Sequence, residues 1–222
     1  MSTVNIVCDT DGVTERPYHH GALESALVDA AMDVVLVDGV GALALRDLAR
    51  TIGVSPSATY RHFPSRDHLV AAVSQQARQQ LATALLTARS AVSTAGPRAS
   101  TALRRLRAIG RAYIEFAVRN PKLFEAAFTP AAIVPATAEN PNAWSVLVAS
   151  IEELVDTGAV LRARQHDATL IAWSSVHGLA TILTASARPS DSTLCDVEVG
   201  VIDPVVNESI DAVIDGVVRA IS

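Results

Sequence analysis

"GVSPSATYRHFPSRDHLV", Gly53 to Val70, decides how the rest of the chain is read. Tyr60, Arg61, His62 and Phe63 stand in a row between Ser-Pro-Ser and Pro-Ser-Arg. Pro56 suits the first turn of a helix, where a missing N–H costs nothing, and Pro64 stops one. The spacing therefore predicts a short helix over 56–63. Gly53 tolerates the positive φ of a tight turn, and Val54 is the apolar residue such a turn drops inward. Just upstream, Leu45, Leu48 and Ile52 predict another short helix over 46–52, with Ala49 small enough for close contact. Two short helices and a glycine turn form a candidate helix-turn-helix. Its second helix would expose Ser55, Ser57, Tyr60, Arg61 and His62.

Helical periodicity extends in both directions. Leu23, Leu27, Ala31, Val34 and Val35 predict a first helix over 21–37, ended by Asp38-Gly39. Ser65 caps a long helix reaching to about residue 93, with Val70, Val73, Ala77, Leu81 and Leu85 as its apolar stripe. Further helices are expected up to Asn120, from Pro121 through "PKLFEAAF", and over 142–157, 167–187 and 204–221. The Pro-rich "TPAAIVPATAENP" and the acidic "RPSDSTLCDVEVGVID" read as loops. "VEVGV", 197–201, alternates like a strand but has no partner strand. The expected fold class is all-α: an N-terminal three-helix unit, then a larger helical bundle. The expected divisions are a tail at 1–16, a helix-turn-helix domain at 17–67 and a second domain at 68–222.

Composition narrows the function. The chain has 222 residues, 50% hydrophobic and 18% charged, enough for a sizeable core. The formal net charge of -5 disfavours indiscriminate nucleic-acid binding while leaving room for a local basic face. Cys8 and Cys195 give no disulfide framework and no metal spacing, which fits a reducing, cytoplasmic setting. The N-terminus lacks the basic start of a signal peptide. The 168–187 segment has no charged residue, but His177 and several Ser and Thr favour burial within protein over a membrane. No nucleophile elbow, Gly-rich phosphate loop or catalytic carboxylate pair is present, so neither an enzyme nor a cofactor is implied.

"LRDLARTIGVSPSATYRHFPSRDHLVAAV" strongly resembles the DNA-binding domain of the TetR family of bacterial transcriptional regulators, and the match is continuous from Tyr18 to about Val73. "AWSSVHGLA", with Trp173, His177 and Gly178, resembles the Trp-His-Gly signature of one C-terminal subclass; "AYIEFAVRNPKLFEAAF" is similar to another of its segments. The resemblance implies a homodimer, most simply a repressor, on pseudo-palindromic double-stranded operator DNA. It also implies release by a small, largely apolar effector, and no membrane partner. Family positions that touch DNA fall on Arg46, Ser55, Ser57, Tyr60, Arg61, His62 and Arg66. A helix N-terminus with Ser hydroxyls suits phosphate, Tyr60 offers a hydroxyl and a ring, and the arginines pair phosphate. Two positions depart from the pattern: Ala44 replaces a capping Ser or Thr, and Thr59 replaces an aliphatic residue.

Between 17 and 70, Arg46, Arg50, Arg61 and Arg66 face Glu24, Asp29, Asp33, Asp38, Asp47 and Asp67. DNA contact must therefore come from a few residues, with the acids turned away. His19 and His20 read either as phosphate contacts or as a solvated helix entry. Tyr113, Phe116, Phe124, Phe128 and Trp144, with Trp173 and His177, could wall an effector cavity; plain core is the alternative, and for His177 a core or dimer-interface role. The arginines of 98–119 read as a solvated face, with attraction of an anionic effector or extension toward DNA as the alternative. The competing function is a helical ligand-binding protein or enzyme that never meets DNA.

Overall fold

The computed structural model describes residues 20–130, 137, 140–184 and 204–221. The tail, Cys8, His19, the His20 side chain, Cys195 and the "VEVGV" stretch lie outside the described residues. So do most of the two expected loops and residues 185–187 of the expected eighth helix.

Among the described residues the fold is all-α, with no strand. The helices are α1 (His20–Asp38), α2 (Leu45–Thr51), α3 (Pro56–His62), α4 (Arg66–Ser90), α5 (Arg98–Arg119), α6 (Pro121–Ala127), α7 (Ala143–Asp156), α8 (Gln165–Thr184) and α9 (Pro204–Ile221). Their ends follow local chemistry. Gly39 stops α1 at φ 82°, and Gly53 turns between α2 and α3 at φ 73°. The Ser55 and Ser65 hydroxyls accept from the amides of Ala58 and His68, capping α3 and α4. Asn142 and Ser145 form a reciprocal capping box at the start of α7. Ala44 occupies the N-cap of α2 with no side-chain bond, as its identity requires.

Two apolar cores form. The first joins Leu23, Leu27, Ala31 and Val35 of α1, Leu45 and Leu48 of α2, Phe63, and Leu69, Val70, Val73 and Ala77 of α4. It also takes in Leu123, Ala126 and Ala127 of α6. The second core is built from the distal part of α4 with α5, α7, α8 and α9. With Phe124 of α6 also in the second core, α4 and α6 each contribute to both.

The arginines of α5 are mostly exposed, as their run suggests, but several also pair across helices. Arg107 and Arg111 pair with Asp215 and Asp211 of α9. Arg105 shares Glu153 of α7 with Arg89 of α4, and Arg104 donates to the carbonyls of Ser93 and Ala95. Sequence spacing showed where the cations lay but not the distant carboxylates that meet them.

Candidate nucleic-acid interface and effector cleft

The helix-turn-helix is held from inside. Ala49 is buried, and its carbonyl accepts from the Val54 amide at 2.9 Å, closing the turn. Thr59 is 0% exposed and its hydroxyl donates to the Ser55 carbonyl at 3.5 Å. That bond satisfies the hydroxyl where the family has an apolar residue. Phe63 anchors the end of α3 in the first core.

The outer face of α3 carries Ser55, Ser57, Tyr60 and Arg61, all exposed, with Tyr60 at 43% despite its ring. Ser55 and Ser57 oxygens lie 3.1 Å apart at the helix N-terminus. Arg46, also exposed, stands in the first turn of α2. Asp47 is turned to Arg50 at 2.8 Å, so one acid of the segment is compensated locally.

Two other sequence candidates lie differently. The His62 side chain is 14% exposed, with Nδ1 3.9 Å from a Glu24 carboxylate oxygen, so it faces α1 rather than the open surface. Arg66 donates from Nε to the Leu43 carbonyl at 3.0 Å and from Nη2 to the Val40 carbonyl at 2.6 Å. Its guanidinium thereby clamps the α1–α2 connection to the start of α4. These bonds reach 23 residues back in the chain, while Arg66 itself stays exposed.

The larger unit holds an aromatic cluster. Tyr113 of α5 is 2% exposed and meets Phe124 and Trp173 edge-on, with ring centres 5.6 Å apart in both pairs. Trp173 stacks on His177 at 5.5 Å and 10°, as residues one helical turn apart can. Phe128 packs on His177 at 4.8 Å, and Trp144 on Trp173 at 5.4 Å. Six of the seven cavity candidates therefore meet. Phe116 makes no ring contact with them among the described residues; it packs partly buried against both cores and borders an open groove between α4 and α5 lined by Gln76, Gln79 and Arg119.

Tyr113 Oη and His177 Nδ1 are 2.7 Å apart. Burial pushes the Tyr113 phenol far above its usual range and holds the His177 imidazole below its ordinary 6.5. Both groups are therefore neutral near pH 7, and their hydrogen bond satisfies polar atoms that burial would otherwise penalise.

Two spaces flank this cluster. Inside, Leu106, Gly110, Tyr113, Trp173, Val176 and Ile214 line an apolar cavity of about 30 Å³, too small for an effector. Gly110 lets α9 pack closely at its edge: a Cβ there would lie 2.5 Å from Ile214 Cδ1. Outside, a cleft of about 420 Å³ opens between α4, the end of α6 and the start of α7. Its walls include Leu81, Phe128, Trp144 and Trp173, and among the described residues its one charged lining residue is Arg78. Arg78 escaped the sequence reading. The available signal was its position: it is the only Asp, Glu, Lys or Arg between Asp67 and Arg89, beside the apolar stripe residue Ala77.

A three-helix helix-turn-helix unit joined through one long helix to a helical bundle defines a transcriptional-regulator architecture. The family comparisons agree. Residues 27–73 match the model described as "Bacterial regulatory proteins, tetR family". Residues 106–195 match that described as "Tetracyclin repressor-like, C-terminal domain". The chain belongs to the TetR family of bacterial transcriptional regulators. A protein of unknown function from Rhodococcus sp. RHA1 has a similar solved structure, at 26% identity and TM-score 0.69, covering 93% of this chain and 99% of that one. RolR, solved in complex with resorcinol, is 14% identical at TM-score 0.58, covering 93% and 91%. The TetR family regulator PfmR from Thermus thermophilus is 20% identical at TM-score 0.52, covering 87% and 97%. The last two likenesses concern the fold. No curated protein matches the chain.

Proposed function

We propose that the protein is a ligand-responsive repressor that binds pseudo-palindromic operator DNA as a homodimer in the bacterial cytoplasm. The observation that carries this reading is the α3 face: Ser55, Ser57, Tyr60 and Arg61 are exposed together on a helix whose other side is buried. Hydroxyls and amides at its N-terminus suit phosphate, and Tyr60 and Arg61 can reach base edges or the backbone. Arg46 extends the face toward the adjoining phosphates. Residues 17–67 would form the reading head, with His62 and Arg66 bracing it.

Support for the dimer comes from α8. Leu170 and Ile182 are 46% and 49% exposed, and Ser174 and Gly178 lie between them on the same stripe. A Cβ at Gly178 would meet nothing within 4 Å in the monomer. Such a stripe suits a second copy, packed through α8 and α9 as a four-helix interface. Two reading heads would then address successive major grooves.

The cleft would carry the response. RolR holds a small aromatic diol on the same fold, and the aromatic walls here suit a largely apolar effector. Arg78 donates to the Ala127 carbonyl at 3.1 Å, at the end of α6. The opposite face of α6 packs into the first core through Leu123 and Ala126. A ligand seated against Arg78 and Phe128 therefore acts on α6 and α4, two helices that contribute to both cores. It weakens DNA binding only to the extent that it prefers a state with the heads misplaced.

Selection of random duplex DNA on the purified protein tests this. Enrichment of a two-half-site sequence, with half-sites about one helical turn apart, is expected. Failure to enrich any sequence would instead favour a helical ligand-binding protein without DNA function.

A further inference from the structure

Arg78 sits oddly in its surroundings. Its side chain is partly buried in α4, yet the acceptors that face it are neutral. Nη1 donates to the Ala127 carbonyl at 3.1 Å, and Nε and Nη2 both donate to Gln75 Oε1, at 3.4 and 3.3 Å. Among the described residues, no carboxylate forms an ion pair with it. Four other arginines of the bundle meet acids: Arg89 and Arg105 meet Glu153, Arg107 meets Asp215, and Arg111 meets Asp211; Arg104, which bonds carbonyls as Arg78 does, is exposed. Withdrawal from water lowers the pKa of the Arg78 guanidinium from its ordinary value. A cation removed from water without an anion is a standing cost, and an incoming anion relieves it.

The same side chain lines the 420 Å³ cleft. There it faces Leu81, Phe128, Trp144 and Trp173, and Trp144 and Phe128 are both exposed despite their apolar rings. Among the described residues, the cleft thus offers one positive charge at one end of an aromatic slot. Two of the five guanidinium N–H donors are not used by these bonds, and the single Gln75 oxygen can swing aside. One positive charge with apolar walls matches a monoanion; a doubly charged phosphate would bury uncompensated charge.

We infer that the cleft binds an arylalkyl or aromatic carboxylate, its carboxylate paired with Arg78 and its ring held between Phe128, Trp144 and Trp173. This rests on the effector-cleft reading above and refines it from "largely apolar" to amphipathic with an anionic end. Such a ligand can take the two unused N–H groups of Arg78 beside its bond to the Ala127 carbonyl, which seats the ligand against the end of α6.

The chain has only two tryptophans, Trp144 and Trp173, and both line the cleft. Tryptophan fluorescence of the full-length protein therefore reports occupancy directly. The probes are 3-phenylpropanoate and 6-phenylhexanoate, each beside its uncharged amide. Saturable quenching is expected, with the acid bound at least about tenfold more tightly than its amide, the size of one charge-assisted pairing. Arg78→Gln should abolish that preference while keeping the amide affinity, and Arg78→Lys should retain part of it. The retained amide binding shows that the variant is folded. Equal affinity for acid and amide, persistence of the preference in Arg78→Gln, or no saturable quenching by any probe overturns the inference. A DNA gel shift with and without the acid separates the two claims. Carboxylate binding that leaves DNA binding unaltered refutes the effector role but not the site. DNA binding with no carboxylate preference refutes the site alone.

Discussion

Ala44→Ser should stabilise the protein, and the structure says by roughly how much. Ala44 stands at the N-cap of α2 with φ -136° and ψ 119°, the extended conformation that a capping residue uses. A serine there requires no backbone change. Its hydroxyl can accept from the Asp47 amide, which now reaches only the Ala44 carbonyl at 3.1 Å. Replacing Ala by a capping residue is worth about 0.5–2 kcal/mol, typically about 1. In a chain of this length, about 1 kcal/mol raises Tm by about 2–4 °C. Ser55→Ala is the internal control, because it deletes a bond that exists, the 3.2 Å contact from the Ala58 amide. It should lower Tm by a similar amount. Differential scanning calorimetry of both variants and the wild type reads the two effects. The capping argument fails if Ala44→Ser leaves Tm unchanged while Ser55→Ala lowers it, since solvent would then already satisfy the N-terminus of α2. A serine at this position can also donate to phosphate, so operator affinity should rise with Tm if α2 approaches the backbone.

Three further outcomes follow from particular contacts. Arg66→Gln should lower stability by about 1–3 kcal/mol by loosening the α1–α2 connection, yet leave the salt slope of DNA binding unchanged. A slope shallower by about one would make Arg66 a phosphate partner instead. Burial depresses the His177 pKa, so the unfolded chain binds the proton more readily. Its contribution to stability is therefore complete above 6.5 and falls away as pH drops from there toward the folded pKa. His177→Asn should flatten that part of the denaturation-versus-pH curve, and an unchanged curve would contradict the assignment. Leu170→Glu with Ile182→Glu should yield monomers in sedimentation equilibrium and weaken operator binding; a persistent dimer would move the interface off α8.

Much of the fold was legible because its signals are local. Gly39 and Gly53 need positive φ, Pro56 and Pro121 open helices, and Ser55 and Ser65 cap them. These set the helix ends almost to the residue. The buried face of α4 likewise follows from the 70–73–77–81–85 spacing. What escaped depends on partners distant in sequence. No spacing announces that Arg66 bonds the carbonyls of Val40 and Leu43, or that His62 lies near Glu24 of α1. The arginines of α5 stay mostly exposed, but nothing local indicates that α9 brings Asp211 and Asp215 to Arg111 and Arg107. The aromatic cluster could be guessed residue by residue, but not that Phe116, among the described residues, makes no ring contact with it or that Arg78 lies at its edge. Periodicity finds the buried stripe of a helix; it does not say which neighbour borders that stripe.

The central claim is that a few side chains on α3 meet DNA on an otherwise acidic chain. Arg61→Ala tests it most directly, in a fluorescence-anisotropy titration of labelled operator DNA across a salt series. Arg61 is exposed and removing it leaves both cores intact, so Tm should hold. The account expects weaker binding, by about tenfold or more per half-site contact, and a shallower salt slope by about one for each lost phosphate pairing. Wild-type affinity and an unaltered slope in Arg61→Ala would contradict it.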